Sequence, residues 1–283
     1  QQLNNAELEY AARNWKPAAE QSARALETIN RRIAGSRQRL DSVMLSLQKP
    51  RAMMIHAGAV YQALPKKDSA HLLPVYEELR QAMQWLELRK TILLNSSDLN
   101  LLLEEHRSLR TLLKTVALDL YEATGSEHWL YELVMQHESG IYNRIRDRLN
   151  QQDVVAFRNM PPQVLAEEQS LKKKLQSAAA DSTSIDDWLG ANEQWQSFLQ
   201  RLQKNHPGYY RLRYASIMKS PAGLLNNPPP QTTLVRYFFT GSHLCAVVAD
   251  QQQKKLFRLD STGIARAIDA ISQPGITPAA MSG

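Results

Sequence analysis

Residues 99–124 read LNLLLEEHRSLRTLLKTVALDLYEAT, and Gly125-Ser126 follow directly. Leu99, Leu102, Leu103, Leu109, Leu112, Leu113, Val116, Leu120 and Tyr121 recur at steps that keep them on one helical face, which predicts that this face is buried. Ser96, Ser97 or Asp98 offers a side-chain oxygen to cap the start, and Gly125 is the residue expected to stop the helix just past Ala123-Thr124. Ser126 then opens a second helix through Trp129, Leu133, Tyr142 and Ile145 to about Leu149. Two helices joined this tightly fold back as an antiparallel pair.

The same grammar extends toward the N-terminus. Tyr10 to Trp15 reads as a helix end and a turn, Pro17 suits the first turn of the next helix, and Ala18, Ser22, Ala25 and Ile29 continue it on one face. Further helices are predicted over 37–48, 51–63, 70–93, 161–178 and 185–204, punctuated by Pro50, Pro65 and Pro161-Pro162. Leu, Ala, Gln, Glu and Arg dominate, residues whose side chains lose little freedom in a helix. Small residues where helices cross suit stacked hairpins of about 34 residues, the tetratricopeptide (TPR) type. The spacing is looser and longer than that, so periodicity predicts a mainly α chain whose residues 1–205 form a TPR-like α-solenoid.

After Pro207-Gly208 the period changes. Tyr209 to Tyr214 reads as extended, within a connector over 206–230 that ends at Pro228-Pro229-Pro230. Three strands are predicted at 233–239, 243–248 and 255–259, with hairpin turns at Gly241-Ser242 and at 250–253. One amphipathic helix follows, from about Gly263 to Ile271. Three strands and one helix cannot bury both faces of a sheet, so 231–283 is expected to be the N-terminal part of a larger α/β domain.

Composition narrows the function classes. With 43% hydrophobic and 22% charged residues over 283 positions, and only 11 Gly and 13 Pro, the chain is neither disordered nor fibrous. The formal charge of +6 suggests an anionic partner, but it is unevenly placed. Residues 201–283 hold 10 Lys/Arg against 3 Asp/Glu; the remainder holds 24 against 25. A single Cys excludes a disulfide framework within the chain and fits a reducing compartment, so a cytoplasmic location is expected. Apolar runs such as 101–103 and 246–249 fall far short of the roughly 20 residues of a membrane span. The chain opens on Gln, as a piece of a longer protein would.

The order of segments resembles that of bacterial TPR–CHAT proteins. The resemblance is carried by Leu120-Tyr121-Glu122-Ala123-Thr124-Gly125-Ser126-Glu127, the segment Ser139-Gly140-Ile141-Tyr142-Asn143-Arg144-Ile145-Arg146, and Met160 to Leu165. A Glu167-Glu168 helix, the Trp195 helix and Pro207 to Ala215 follow in the same order. Thr233 to Phe238 is similar to the opening strand of the family's CHAT domain, where an acidic residue is usual and Arg236 stands here. Gly241 to Val248 is similar to its second strand. The match runs over 115–271; residues 1–114 match only as a helical array. The resemblance implies the start of a caspase-like cysteine protease domain under a helical sensor, often in bacterial defence, with the catalytic His and Cys further along than Gly283. It also implies a protein or peptide partner at the repeats, and that the chain alone does not cleave peptides. A non-enzymatic helical adaptor is the alternative, and a nucleic-acid-binding protein using the basic surplus a third.

His243 and Cys245 share a strand face, as a thiolate–imidazole pair would, but Cys245 lies in an apolar run and is expected to be a core residue with an unactivated thiol. No catalytic residue is therefore assigned. His128 and His137 are nine positions apart on one helix and cannot share a metal, and no phosphate-binding glycine loop occurs, so neither metal nor cofactor is expected. Arg107, Arg110, Arg144 and Arg148 form the candidate partner-binding set, suited to an acidic peptide or a nucleic acid, with Arg146 nearby and Asp147 beside them; a solvated, partly paired helix face has the same pattern. Trp129, Trp188 and Trp195 read as packing between hairpins. Tyr209, Tyr210 and Tyr214, interleaved with Arg211 and Arg213, could stack bases or pack the helices against the sheet, and the second is expected.

Overall fold

The computed structural model describes residues 1–35, 39–90, 96–151, 160–180, 185–215, 225, 228–241 and 243–260. It is mainly helical. Helices α1 (Gln2–Ala11), α2 (Trp15–Gly35), α3 (Arg39–Ala63), α4 (Ser69–Lys90), α5 (Ser96–Thr124) and α6 (Glu127–Gln151) come first. Next are α7 (Pro162–Ala180), α8 (Ile185–Asn205) and α9 (Pro207–Arg213), then strands β1 (Leu234–Thr240), β2 (His243–Ala249) and β3 (Lys254–Leu259). The expected helix over 263–271 lies outside the described residues.

From α1 to α6 each helix packs on the next, and alternate helices also meet, α1 on α3 and α3 on α5. The α2 face is the one the spacing predicts: Ala18, Ser22, Ala25 and Ile29 are buried. Gly58 in α3 has a local cause, because a Cβ there would lie 2.6 Å from the Tyr10 hydroxyl of α1. Polar ties span the packed pairs as well. Arg51 Nε sits 2.5 Å from Glu7 across α3 and α1, and Tyr76 Oη donates to Glu132 at 2.5 Å across α4 and α6.

Two sequence expectations need correction. The helices predicted at 37–48 and 51–63 are one helix, α3, with Pro50 inside it. Proline removes one backbone bond and crowds the preceding turn. Here Ala52, Met53, Ile55, Ala57, Ala59 and Tyr61 are buried, and packing of this kind outweighs one lost bond. Second, Tyr209 to Arg213 is helical and not extended: it is α9, with Pro207 at its first turn and His206 before it. Alternating Tyr and Arg resembles a strand, but the four-residue repeat also fits a helix. It brings Tyr210 and Tyr214 to 6.2 Å between ring centroids and sets Arg213 5.8 Å over the Tyr209 ring.

The α9 segment packs mainly on α8, with a lighter contact on α6, where the sequence predicts packing of the helices against the sheet. It closes a second core with α7 and α8, built on Leu175, Trp195, Phe198, Leu199, Leu202 and Tyr209. Glu168 of α7, only 2% exposed, sits at its polar centre. The hydroxyls of Tyr209 and Tyr214 donate to its carboxylate, Lys172 lies at 2.6 Å and Arg213 at 3.0 Å. Trp129 is buried in the first core and Trp195 in the second, with Trp188 packed beside the latter, so the tryptophans do pack between helices.

The strands form an antiparallel sheet in the order β1-β2-β3. Gly241 adopts φ +57° at the β1–β2 turn, and the Asp250 side chain accepts hydrogen bonds from the N–H groups of Gln252 and Gln253 in the β2–β3 turn. Phe238, Cys245, Val247 and Ala249 belong to the same buried cluster as Leu109, Leu113, Val116, Leu120, Leu130 and Leu133 of α5 and α6. The sheet thus shares the main helical core on one face. The opposite face consists of the register rows Phe239–Leu244–Leu259, Tyr237–Ala246–Phe257 and Val235–Val248–Lys255.

Candidate functional site at the junction of sheet and helices

The α5–α6 turn makes the platform. Gly125, at φ +65°, donates its N–H to the Tyr121 carbonyl at 2.7 Å, and the Ser126 carbonyl accepts the Trp129 N–H at 3.1 Å. That reversal carries the carboxylates of both helices toward the sheet. Strand alternation carries three cations the other way, because Arg236, Lys254 and Arg258 share the face that bears Phe238, Cys245 and Val247.

The charges meet pairwise. Arg236 Nε lies 3.1 Å from Glu138, Lys254 Nζ 3.0 Å from Glu127, and Arg258 grips both oxygens of Glu122 at 2.6 and 2.7 Å. Arg258 also lies 4.0 Å from Asp119, and Lys114 donates to the Phe239 carbonyl. Asp119 in turn accepts from Tyr61 at 2.6 Å and sits 3.0 Å from Lys67. A chain of contacts thereby runs from β3 through α5 into α3. Burial first, and then the Asp119 carboxylate, pushes the Tyr61 phenol far above its ordinary range, so it remains a donor. Arg258 and Glu122 are both well exposed, so their bidentate pair adds about 0.5–1 kcal/mol in solution. Its larger effect is on register and orientation.

Cys245 occupies this interface as an inert residue. It is fully buried, burial raises its thiol above the ordinary value, and the Thr240 hydroxyl lies 3.7 Å away. His243 sits exposed at the strand start, beyond the buried row. In native buffer, Cys245 is expected to react with a disulfide reagent at least about 100-fold more slowly than in denaturant. Comparable rates in the two conditions would show an accessible thiol.

Of the arginines assigned from sequence, Arg107 and Arg110 do not share one surface. Arg107 is exposed and pairs with Glu104 at 3.3 Å. Arg110 is 8% exposed, reaching Glu87 of α4 and Gln136 of α6, each at 3.4 Å. Three positions along a helix separate a solvent-facing cation from an inward one, so Arg110 acts as a strut between helices and presents nothing to a partner. The side chains of Arg144 and Arg148 lie outside the described residues. Sequence reading overlooked the acids at 119, 122, 127 and 138. Their signal was present: carboxylates flank the apolar stripe on both sides of the turn, opposite three cations of one strand parity.

No family model, no curated protein and no solved structure matches this chain. No helix among the described residues is long and apolar enough to cross a membrane. Among the same residues, no group of three or more His, Cys, Asp or Glu is placed to hold a metal ion.

Proposed function

We propose that this chain is the recognition and regulatory part of a TPR–CHAT protein, a helical sensor that binds a protein or peptide and controls a caspase-like cysteine protease domain continuing past Gly283. The observation that carries this reading is the sheet seated on α5–α6 through a shared core and three cross-element ion pairs. A sensor must transmit strain, and a core common to helices and strands is a physical route for it. Contacts between alternate helices support TPR-like stacking, which presents many side chains along one groove. The basic surplus of 201–283 gives weak support to nucleic-acid binding, because Arg213, Arg236, Lys254 and Arg258 face carboxylates of the same chain.

The test uses the chain joined to the coding sequence that follows it in frame. The reading expects a His-Gly and a later Cys at strand ends, and cleavage of an unfolded protein that is abolished when that Cys is replaced. Arg258→Glu should change the cleavage rate, and Arg258→Glu combined with Glu122→Arg should restore it. Absence of the His and Cys, or a rate indifferent to Arg258→Glu, would overturn the proposal.

A further inference from the structure

Asp119 of α5 faces two cations from distant parts of the chain. Its Oδ2 lies 3.0 Å from Nζ of Lys67, in the turn between α3 and α4, and accepts from the Tyr61 hydroxyl at 2.6 Å. Its Oδ1 faces Arg258 of β3 at 4.0 Å, whereas the short contacts of that guanidinium, at 2.6 and 2.7 Å, go to Glu122. Lys67 is held on the α3 side, with Nζ 2.6 Å from the Tyr61 oxygen and 4.1 Å from its ring centroid. The Asp119 side chain is 13% exposed, against 47% for Lys67 and 41% for Arg258. The arrangement is thus open to solvent at both cationic ends and enclosed at the carboxylate.

One carboxylate carries one negative charge, so two cations beside it divide its attraction and repel each other. Partial burial of Asp119 keeps that interaction from being screened as it would be between fully exposed groups. Lys67 holds the nearer position, and Arg258 is left at the longer distance. Loss of the Lys67 charge therefore acts in opposite directions at the two ends. Asp119 and Tyr61 lose a partner on the helical side, while Arg258 gains the undivided carboxylate on the sheet side. A network in which each contact supported the others would instead loosen at both ends.

We infer that Lys67 and Arg258 compete for Asp119, so that the α3–α4 turn sets how firmly the third strand is held on α5, and neutralising or withdrawing the Lys67 ammonium tightens the strand. Because coupling is reciprocal, a firmer hold of Arg258 on Asp119 equally loosens Lys67. This competition rests on the chain's own charges and is independent of the proposed protease control.

The experiment uses the full chain and follows amide exchange of residues 254–259 by mass spectrometry. Lys67→Gln removes the charge and keeps a polar side chain; it is expected to slow that exchange about two- to fivefold, the range set by one partly exposed ion pair. Lys67→Arg keeps the charge and should leave the exchange unchanged. In an Asp119→Asn background, Lys67→Gln should have no effect on it. Unchanged or faster exchange in the Lys67→Gln chain would overturn the inference, because the two cations would then be independent or mutually supporting. So would equal slowing by Lys67→Arg, which would remove charge as the cause, or slowing that survives Asp119→Asn, which would remove Asp119 as the contested group.

Discussion

Val247→Asp is expected to destabilise the chain by about 3 kcal/mol, the cost of a carboxylate in the apolar core that its cross-strand neighbour Arg236, already tied to Glu138, offsets only in part. Val247 is fully buried at the centre of β2, between Arg236 and Leu256 in register, and belongs to the cluster that includes Leu113, Val116 and Leu130. It therefore reports on helices and sheet together. Urea unfolding followed by far-UV circular dichroism, which reads mostly helix, and by tryptophan fluorescence should show the midpoint falling by about 1 M or more. Trp129 of α6 lies in the same cluster and gives the second signal a local source. If the helical signal kept its midpoint, the sheet would be an appendage that lends the helices no stability.

The second large effect concerns the α7–α9 core. Glu168→Ala leaves Lys172, Arg213 and two tyrosine hydroxyls around an empty, almost dry site, at an expected cost of about 3 kcal/mol or more. Burial alone would raise the Glu168 carboxyl, but the Lys172 charge and the bonds from Lys172, Tyr209 and Tyr214 outweigh it and hold the group below its ordinary value. The sign follows from linkage. A carboxyl whose folded pKa lies below its unfolded one contributes fully above the unfolded value, about 4.3, and loses that contribution as pH falls through the folded value. Wild-type stability at Trp188 and Trp195 should therefore decline as pH falls below the unfolded value, and the Glu168→Ala chain should decline less steeply over that range. Parallel pH slopes in urea titrations read by fluorescence would remove Glu168 from that role.

How far the fold can be read from the sequence depends on whether the deciding signal is local. Gly125 and the leucine stripe before it mark the α5–α6 reversal, because φ > 0 and a buried face are demands on single residues and their neighbours. The three strands are equally legible, since Gly241 and Asp250 are turn residues and each strand lies within a few residues of its expected position. Pro50 misleads because its cost is local while its compensation comes from packing along the rest of α3. The Tyr-Arg alternation misleads because its decisive partner, Glu168, lies 41 positions before Tyr209. The candidate site suffered from the same non-locality. Arg107 and Arg110 look equivalent in sequence, and only the positions of Glu87 and Gln136 separate an exposed cation from a buried strut. The acids that receive the strand cations were overlooked because their partners lie about 100 positions or more away.

That separation has a consequence for how the protein is made. Lys254 meets Glu127 across 127 positions and Arg258 meets Glu122 across 136, always from a later segment to an earlier one. A ribosome working from the N-terminus at about 5–20 residues per second delivers α5 and α6 several seconds before β3 emerges. The helices can settle on short-range contacts during that interval, whereas the strands carry apolar residues on both faces and have no stable form of their own in water. Synthesis thus supplies the template before the part that needs it. A circularly permuted gene that placed the strands first would send the same residues out with nothing to land on, and aggregation during translation is the outcome that order avoids.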